Sequence, residues 1–304
     1  MTDFPSSQAS TKSCRDLISL DQISASELEE IARRAIVFSG FWQDRKMPKS
    51  LTGRRIGLIA DLPGWRNPTA LMLGAVEMGA NCVPVTASLE GKETLEDLAG
   101  YLDNWFDCMA IRTPSLARLT QFTDQFSGAV LNLRTNDNHP FETLGDLAFI
   151  LHLRGSWEDL HVAVVAPSGN ILQSWIEATR TLAIKVTQVA PAALFAREDA
   201  KTGRFNSTEQ LDPLFSADVI VTDCWPQQFG EDTGMLLHQV QITADVLERC
   251  RPDVIFIPCP PVTRGHEAST DAMLHPRCLA QPAKAFLLHV QNGAANSSAS
   301  LWKH

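Results

Sequence analysis

The sequence predicts an α/β protein of two domains, each a parallel sheet flanked by helices, with a ligand cleft between them. Three observations predict it. The chain has 304 residues, a length that suits about two domains when used as a soft guide. Short, nearly uninterrupted apolar runs alternate with helix-period segments through most of it, and continuous apolar strands belong to parallel sheets covered on both faces. A hydrophobic content of 44% with 20% charged residues is ordinary for a protein that buries large cores. Right-handed crossovers then follow.

Taken in order, the first expected strand is 56–60. A Pro-Gly turn ends it, and a helix over 68–78 opens with Pro68 in its first turn, where a fixed φ and a missing N–H cost little. A strand at 82–86 follows. The next helix, 95–105, starts at Thr94 as N-cap with Asp97 three residues on, a variant of the capping box. Strands at 107–111 and 129–132 complete the first unit, and a helix over 141–153 bridges to the second. There, strands at 162–166, 184–189, 218–222 and 253–257 alternate with helices at 171–181 and 236–250. The polar stretch 200–210 reads as a long loop. The apolar helical spacing of Phe286, Leu287 and Val290 decays into Asn-Gly-Ala-Ala-Asn-Ser-Ser-Ala-Ser, poor helix material that is expected to fray. No internal repeat is visible.

Composition excludes several partners. The net charge is −9 with no block of Lys or Arg, so neither nucleic acid nor an anionic membrane finds a basic footprint. The seven cysteines are odd in number and form no C-x-x-C pair; they read as small buried hydrophobes of a reducing compartment, not as a disulfide framework or a zinc site. No stretch of about 18 apolar residues is present, and the polar first residues lack an apolar signal core. The expected location is the cytoplasm, and no cofactor or metal is expected.

In open parallel sheets ligands bind outside the carboxyl ends of the strands. That rule alone selects residues 61–67, 112–113, 136–139, 167–170, 223–225 and 258–264. The same segments carry three motifs: His139-Pro-Phe-Glu-Thr-Leu-Gly-Asp, Thr222-Asp-Cys-Trp and Pro258-Cys-Pro-Pro-Val-Thr-Arg-Gly-His-Glu. In this order they resemble the signature of the aspartate/ornithine carbamoyltransferase family, and most of all its ornithine branch. The resemblance spans roughly residues 14–291. It implies a donor domain of the carbamoyl-phosphate type over 1–145, an amino-acid-type acceptor domain over 146–280, and a C-terminal helix and tail, 281–304, packing back on the first domain. It also implies a homotrimer with shared sites.

The resemblance assigns roles residue by residue. Family members carry Ser-Thr-Arg-Thr-Arg at the donor loop; here Arg66 survives, while Gly64, Trp65, Asn67 and Pro68 stand for the other four. Arg66 and Asn67 are expected on the donor, at a helix start that suits an anion. Gly91-Lys-Glu-Thr-Leu-Glu-Asp resembles a loop that reaches the neighbouring subunit's site, which makes Lys92 a trans-acting cation; a plain helix cap explains the same residues. Arg112 and Thr113 match the residues that bind phosphate and carbonyl oxygen. His139 matches the histidine that stabilises the oxyanion, a role suited to a neutral imidazole at a helix N-terminus. Glu142 stands for a glutamine. A carboxylate beside a dianion is unhelpful unless it is protonated or contacts a cation, and would suit a cationic group such as an amidinium.

On the acceptor side, Asn170 retains a carboxamide for a substrate carboxylate, and Asp223 and Trp225 match Thr-Asp-x-Trp, whose acid holds the α-amino group. Gln228 and Phe229 replace its Ser-Met partner. Cys259 and Arg264 match the family's Cys and Arg, but its histidine has become Pro258, and the arginine of its C-terminal run is absent, with Lys284 the cation nearby. Arg66, Arg112, His139 and Cys259 form the expected catalytic set. The expected function is a divergent transfer of a carbamoyl or related group from a small-molecule donor to an amino-acid-like amine, by positioning and oxyanion stabilisation. The alternatives are a non-catalytic binding or subunit protein that keeps the fold, and altered donor chemistry on the same scaffold.

Overall fold

The structure, a computed structural model, describes residues 16–197, 202–225 and 236–299. Two parallel sheets organise it. The first has four strands in the order β2-β1-β3-β4, with β1 at Arg55–Ala60, β2 at Asn81–Pro84, β3 at Cys108–Arg112 and β4 at Ala129–Arg134. The second has five in the order β7-β6-β5-β8-β9, with β5 at His161–Val165, β6 at Lys185–Val189, β7 at Phe205–Thr208, β8 at Val219–Thr222 and β9 at Ile255–Pro258. The inner strands are buried along nearly their whole length, β3 at every position. This two-layered burial is what the continuous apolar runs encode.

Helices close both faces: α1 (Ala25–Gln43), α2 (Arg66–Glu77), α3 (Leu95–Asp103), α4 (Leu116–Gln125), α5 (Pro140–Arg154), α6 (Asn170–Thr181), α7 (Asp212–Ser216), α8 (Ala244–Arg249), α9 (Thr270–Leu274) and α10 (Ala280–Ala299). Neither α1 nor α4 is among the elements expected above. Yet α1 opens with a complete capping box, Ser24 and Glu27 each satisfying the other's backbone N–H. Thr94 caps α3 as expected, its hydroxyl accepting from Asp97 N. The sequence boundary at 145 falls inside α5, which runs unbroken from one sheet to the other and is buried from Pro140 to Leu151. None of the helices among the described residues is long and apolar enough to cross a membrane.

Three expectations need correction. The stretch 200–210 is not all loop: β7 pairs parallel with β6, from Val186–Phe205 to Val189–Thr208. An edge strand is covered on few sides, so Asn206, Ser207 and Thr208 suffice and the apolar signal is weak. The expected helix 236–250 is broken: residues 236–238 are helical, Ile242 bridges to Ala268, and a separate helix, Ala244–Arg249, starts behind the N-cap Thr243. The C-terminal run does not fray before Ala299. Its small residues are what let α10 approach its neighbours: Ala294 and Ala295 are buried, a Cβ on Gly293 would lie 3.1 Å from Ile31 O, and one on Gly74 of α2 would meet the Asn292 side chain at 2.4 Å. Packing overrides propensity here.

Candidate active site

The carboxyl ends of both sheets face one cleft of about 520 Å³. From the first domain Arg66, Asn67, Arg112, Arg134, His139 and Glu142 line it; from the second, Asn170, Asp223 and Cys259.

The first-domain wall is built from β1, β3 and β4. After Ala60 the chain turns through Leu62-Pro-Gly into α2. Gly64 has φ +132, and a Cβ there would lie 2.5 Å from Arg112 Nη2. Only glycine suits that position. The missing side chain lets the Arg112 guanidinium fold onto the loop, donating from Nε to Leu62 O at 3.2 Å and from Nη2 to Pro63 O. Burial first, and then the neighbouring Arg134, pull Arg112 down to about 10, so it stays charged. The Arg66 guanidinium lies 5.0 Å from the centroid of the exposed Trp65 ring, in cation–π range. Asn67 is buried, and its Oδ1 accepts from Gln291 Nε2 on α10 at 3.0 Å.

His139 is the N-cap of α5 but makes no side-chain cap bond; its backbone N–H donates to Ser174 Oγ at 2.8 Å. Burial pushes its imidazole down to about 4, so it is neutral near pH 7. Nδ1 is buried without a partner among the described residues, and Nε2 lies 4.0 Å from Glu142 Oε2. Glu142 does not stand unopposed. Its Oε1 is 3.0 Å from Lys284 Nζ, and that ammonium donates as well to Asp146 at 2.7 and 2.9 Å. Burial alone would raise the Glu142 carboxyl, but Lys284, His139 and Arg66 together outweigh it and hold the group below its ordinary value. Asp146, deeper in the helix, is pushed up by burial to about 6.

On the second-domain wall, Cys259 follows β9 and its Sγ lies 3.8 Å from Glu142 Oε1. Burial and that carboxylate push its thiol well up, so it is a thiol and not a thiolate. Asp223 follows β8; burial raises it to about 6 even though Cys224 N–H donates to its Oδ1 at 2.8 Å. Asn170 opens α6 and gives its Nδ2 to Thr135 O at 2.8 Å.

Several sequence-derived candidates lie off this cleft. Thr113 is fully buried and its hydroxyl donates to Asp61 Oδ2 at 3.1 Å. Lys92 is exposed in the loop before α3, among residues that share none of the cleft lining. Trp225 packs against His238 and His266, and Glu267 accepts from Trp225 N and Thr263 N, so the acid of the Arg-Gly-His-Glu motif braces two loops. Arg264 is exposed and does not line the cleft. Gln228 and Phe229 lie outside the described residues. One cleft residue, Arg134, escaped the sequence reading. Its signal is its place as the last residue of β4, a strand end that the ligand rule covers.

A cleft between two parallel α/β domains, walled by guanidiniums and a neutral histidine on one side and an acid and a thiol on the other, has the form of a two-substrate transferase. The chain belongs to the aspartate/ornithine carbamoyltransferase family: residues 15–152 match the model of its carbamoyl-P binding domain, and 158–295 that of its Asp/Orn binding domain. It is similar to the ornithine carbamoyltransferase of Psychrobacter arcticus, 26% identical with 92% of this chain and 94% of the relative covered. That of Acinetobacter baumannii is 27% identical, covering 91% and 94%. Among solved structures, ornithine carbamoyltransferase from Pyrococcus furiosus superposes with a TM-score of 0.87 at 22% identity, over 92% of this chain and 96% of that one. That last likeness speaks for the fold.

Proposed function

We propose that this protein transfers a carbamoyl group from an anionic donor to the amine of an amino-acid-like acceptor. The observation that carries the reading is convergence: Arg66, Arg112, His139 and Glu142 from one domain meet Asn170, Asp223 and Cys259 from the other on a single cleft. Arg66 and Arg112 hold the phosphate. The neutral His139 donates to the carbonyl oxygen as it becomes an oxyanion. The acceptor's ammonium sits at Asp223 and its carboxylate near Asn170, with Cys259 beside the attacking amine. The amine nitrogen bonds to the carbonyl carbon, the C–O bond to phosphate breaks, and the leaving phosphate takes the proton that the amine gives up. No covalent enzyme intermediate is needed; alignment and charge compensation suffice.

Glu142 fits a carbamoyl amide better than the amidinium that its charge alone suggests. Lys284 already compensates that charge, and the second carboxylate oxygen is left to accept an N–H. The donor side is nonetheless depleted. Gly64, Trp65 and Pro68 offer neither hydroxyl nor guanidinium, Asn67 is bonded to Gln291, and Arg112 is engaged with loop carbonyls. Charge-assisted hydrogen bonds contribute roughly 1.5–3 kcal/mol each, so the loss of two weakens the donor by about two to four orders of magnitude. The expected result is slow formation of phosphate and ureido product from millimolar carbamoyl phosphate and ornithine, rising when Thr-Arg-Thr-Arg is restored at 65–68 with Gly64 and Glu142 kept. No transfer to any amino-acid amine by either protein would refute the reading; robust wild-type citrulline formation would refute the depletion.

We further propose a homotrimer in which a neighbour's loop 91–97 completes the site. Supporting this, a second groove of about 910 Å³, flanked by Trp65 and Arg66, opens beside the cleft, and Trp65, Leu73, Val76 and Val83 leave an apolar face exposed on α2 and the edge strand β2. A cytoplasmic location is compatible with Cys82, Cys224, Cys250, Cys259 and Cys278, none of which is held in a disulfide among the described residues.

A further inference from the structure

Strands β3 and β4 pair in simple register from Cys108–Ala129 to Ile111–Asn132, and then the register jumps to Arg112–Arg134. The extra residue is Leu133, which is buried in the core. Without this bulge Arg112 would face Leu133. With it, two arginines stand side by side at the carboxyl end of the sheet, and both line the cleft. Bulges re-aim side chains in this way beside active sites. Like charges directly opposite on adjacent strands destabilise a sheet, and the repulsion is visible in Arg112, lowered by burial and then by Arg134.

Glu142 offsets part of that repulsion at Arg112, and Asp223 lies within electrostatic reach of Arg134. Among the described residues, however, no carboxylate is hydrogen-bonded to Arg134, and Arg112 gives two of its donors to the carbonyls of Leu62 and Pro63. Glu142 has its own cation in Lys284. Arg66 is stacked on Trp65. Of the three cleft guanidiniums, Arg134 is the uncommitted one. A planar fork of donors with no partner suits an oxyanion, which it can grip through two parallel bonds.

We propose that Arg134 and Arg112 form a guanidinium pair that clamps the dianionic phosphate of the donor, Arg134 supplying the charge that the helix start lacks at Pro68. This rests on the donor reading given above. The pair matches a dianion: two adjacent positive charges are compensated by one doubly charged group, and the repulsion that the bulge imposes becomes attraction once the ligand enters.

The test is calorimetry of inorganic phosphate and carbamoyl phosphate on the full chain, for wild type, R134Q and R134K. R134Q is expected to bind both about 10- to 100-fold more weakly. Without ligand it should melt no lower than wild type, because a like charge has gone. R134K keeps the charge but loses the fork, and should fall between; if R134Q does not fold, a several-fold weakening in R134K is the required result. Equal phosphate affinity in wild type and variants overturns the clamp while the donor reading stands. So does a variant that loses affinity for an amino acid but not for phosphate, which assigns Arg134 to the acceptor's carboxylate. A wild type that binds neither phosphate nor carbamoyl phosphate sinks the donor reading, and the clamp with it.

Discussion

At the scale of single residues, the cleft is a set of groups whose ionisation is governed by burial. Asp223 illustrates the consequence. It ends the buried strand β8 and is raised to about 6 by desolvation. Below that pH the carboxyl is neutral and cannot hold an ammonium; above it the carboxylate can. Affinity for an amino-acid acceptor is therefore expected to be fully present above about pH 7 and to fall about tenfold per pH unit well below 6. Asp223→Asn should bind weakly at all pH values, with a flat profile. Titration calorimetry between pH 5 and 8 checks this, and a wild-type profile as flat as that of the variant would remove Asp223 from the acceptor site. The neighbouring Cys259 and His139 differ in kind: burial leaves the one a thiol and the other a neutral imidazole across this range. Of these three, only the acid titrates in this range.

At the scale of elements, α10 does more than close the first domain. Its Lys284 ties Glu142 and Asp146 of α5, and its Gln291 fixes Asn67 at the start of α2. Removing one partner of a buried ion pair leaves a naked charge, at a cost of about 3–5 kcal/mol, whereas removing both charges together can be close to neutral. Lys284→Met should thus lower stability by about that amount in urea unfolding, and the triple change Lys284→Met, Glu142→Gln, Asp146→Asn should recover most of it. Failure of the triple variant to recover would mean that the ammonium holds α10 in place by more than charge. Little of this was legible beforehand. The buried strands were readable because a parallel core demands continuous apolar residues, and the cleft positions of Asp223 and Cys259 because they follow strand ends. The β7 edge was not, since one covered face leaves a weak pattern. Nor was the length of α10, whose Asn292 and Gly293 count against a helix until α1 and α2 are beside it. Arg134 escaped because no local pattern announces a bulge.

At the scale of the whole molecule, the proposed trimer makes a specific demand. Leu73 and Val83 are about half exposed on α2 and the edge strand β2, where they would be covered by a neighbour. Light scattering is expected to give three times the 33.4 kDa of the chain, and Leu73→Glu with Val83→Lys should yield monomers that fold but lose turnover. A monomeric wild type with full activity would dismiss the shared site. The two halves of one chain are joined by more than α5. Asn170 of α6 donates to Thr135 O, Ser174 accepts from His139 N, and Glu177 accepts from Asn138 Nδ2. His139 is thus carried by the first sheet but gripped by the first helix of the second. For anyone recombining this chain with a relative, the seam follows that grip and not the sheets: a transplanted acceptor half that leaves residues 135–139 behind would arrive without the loop its leading helix was shaped to hold.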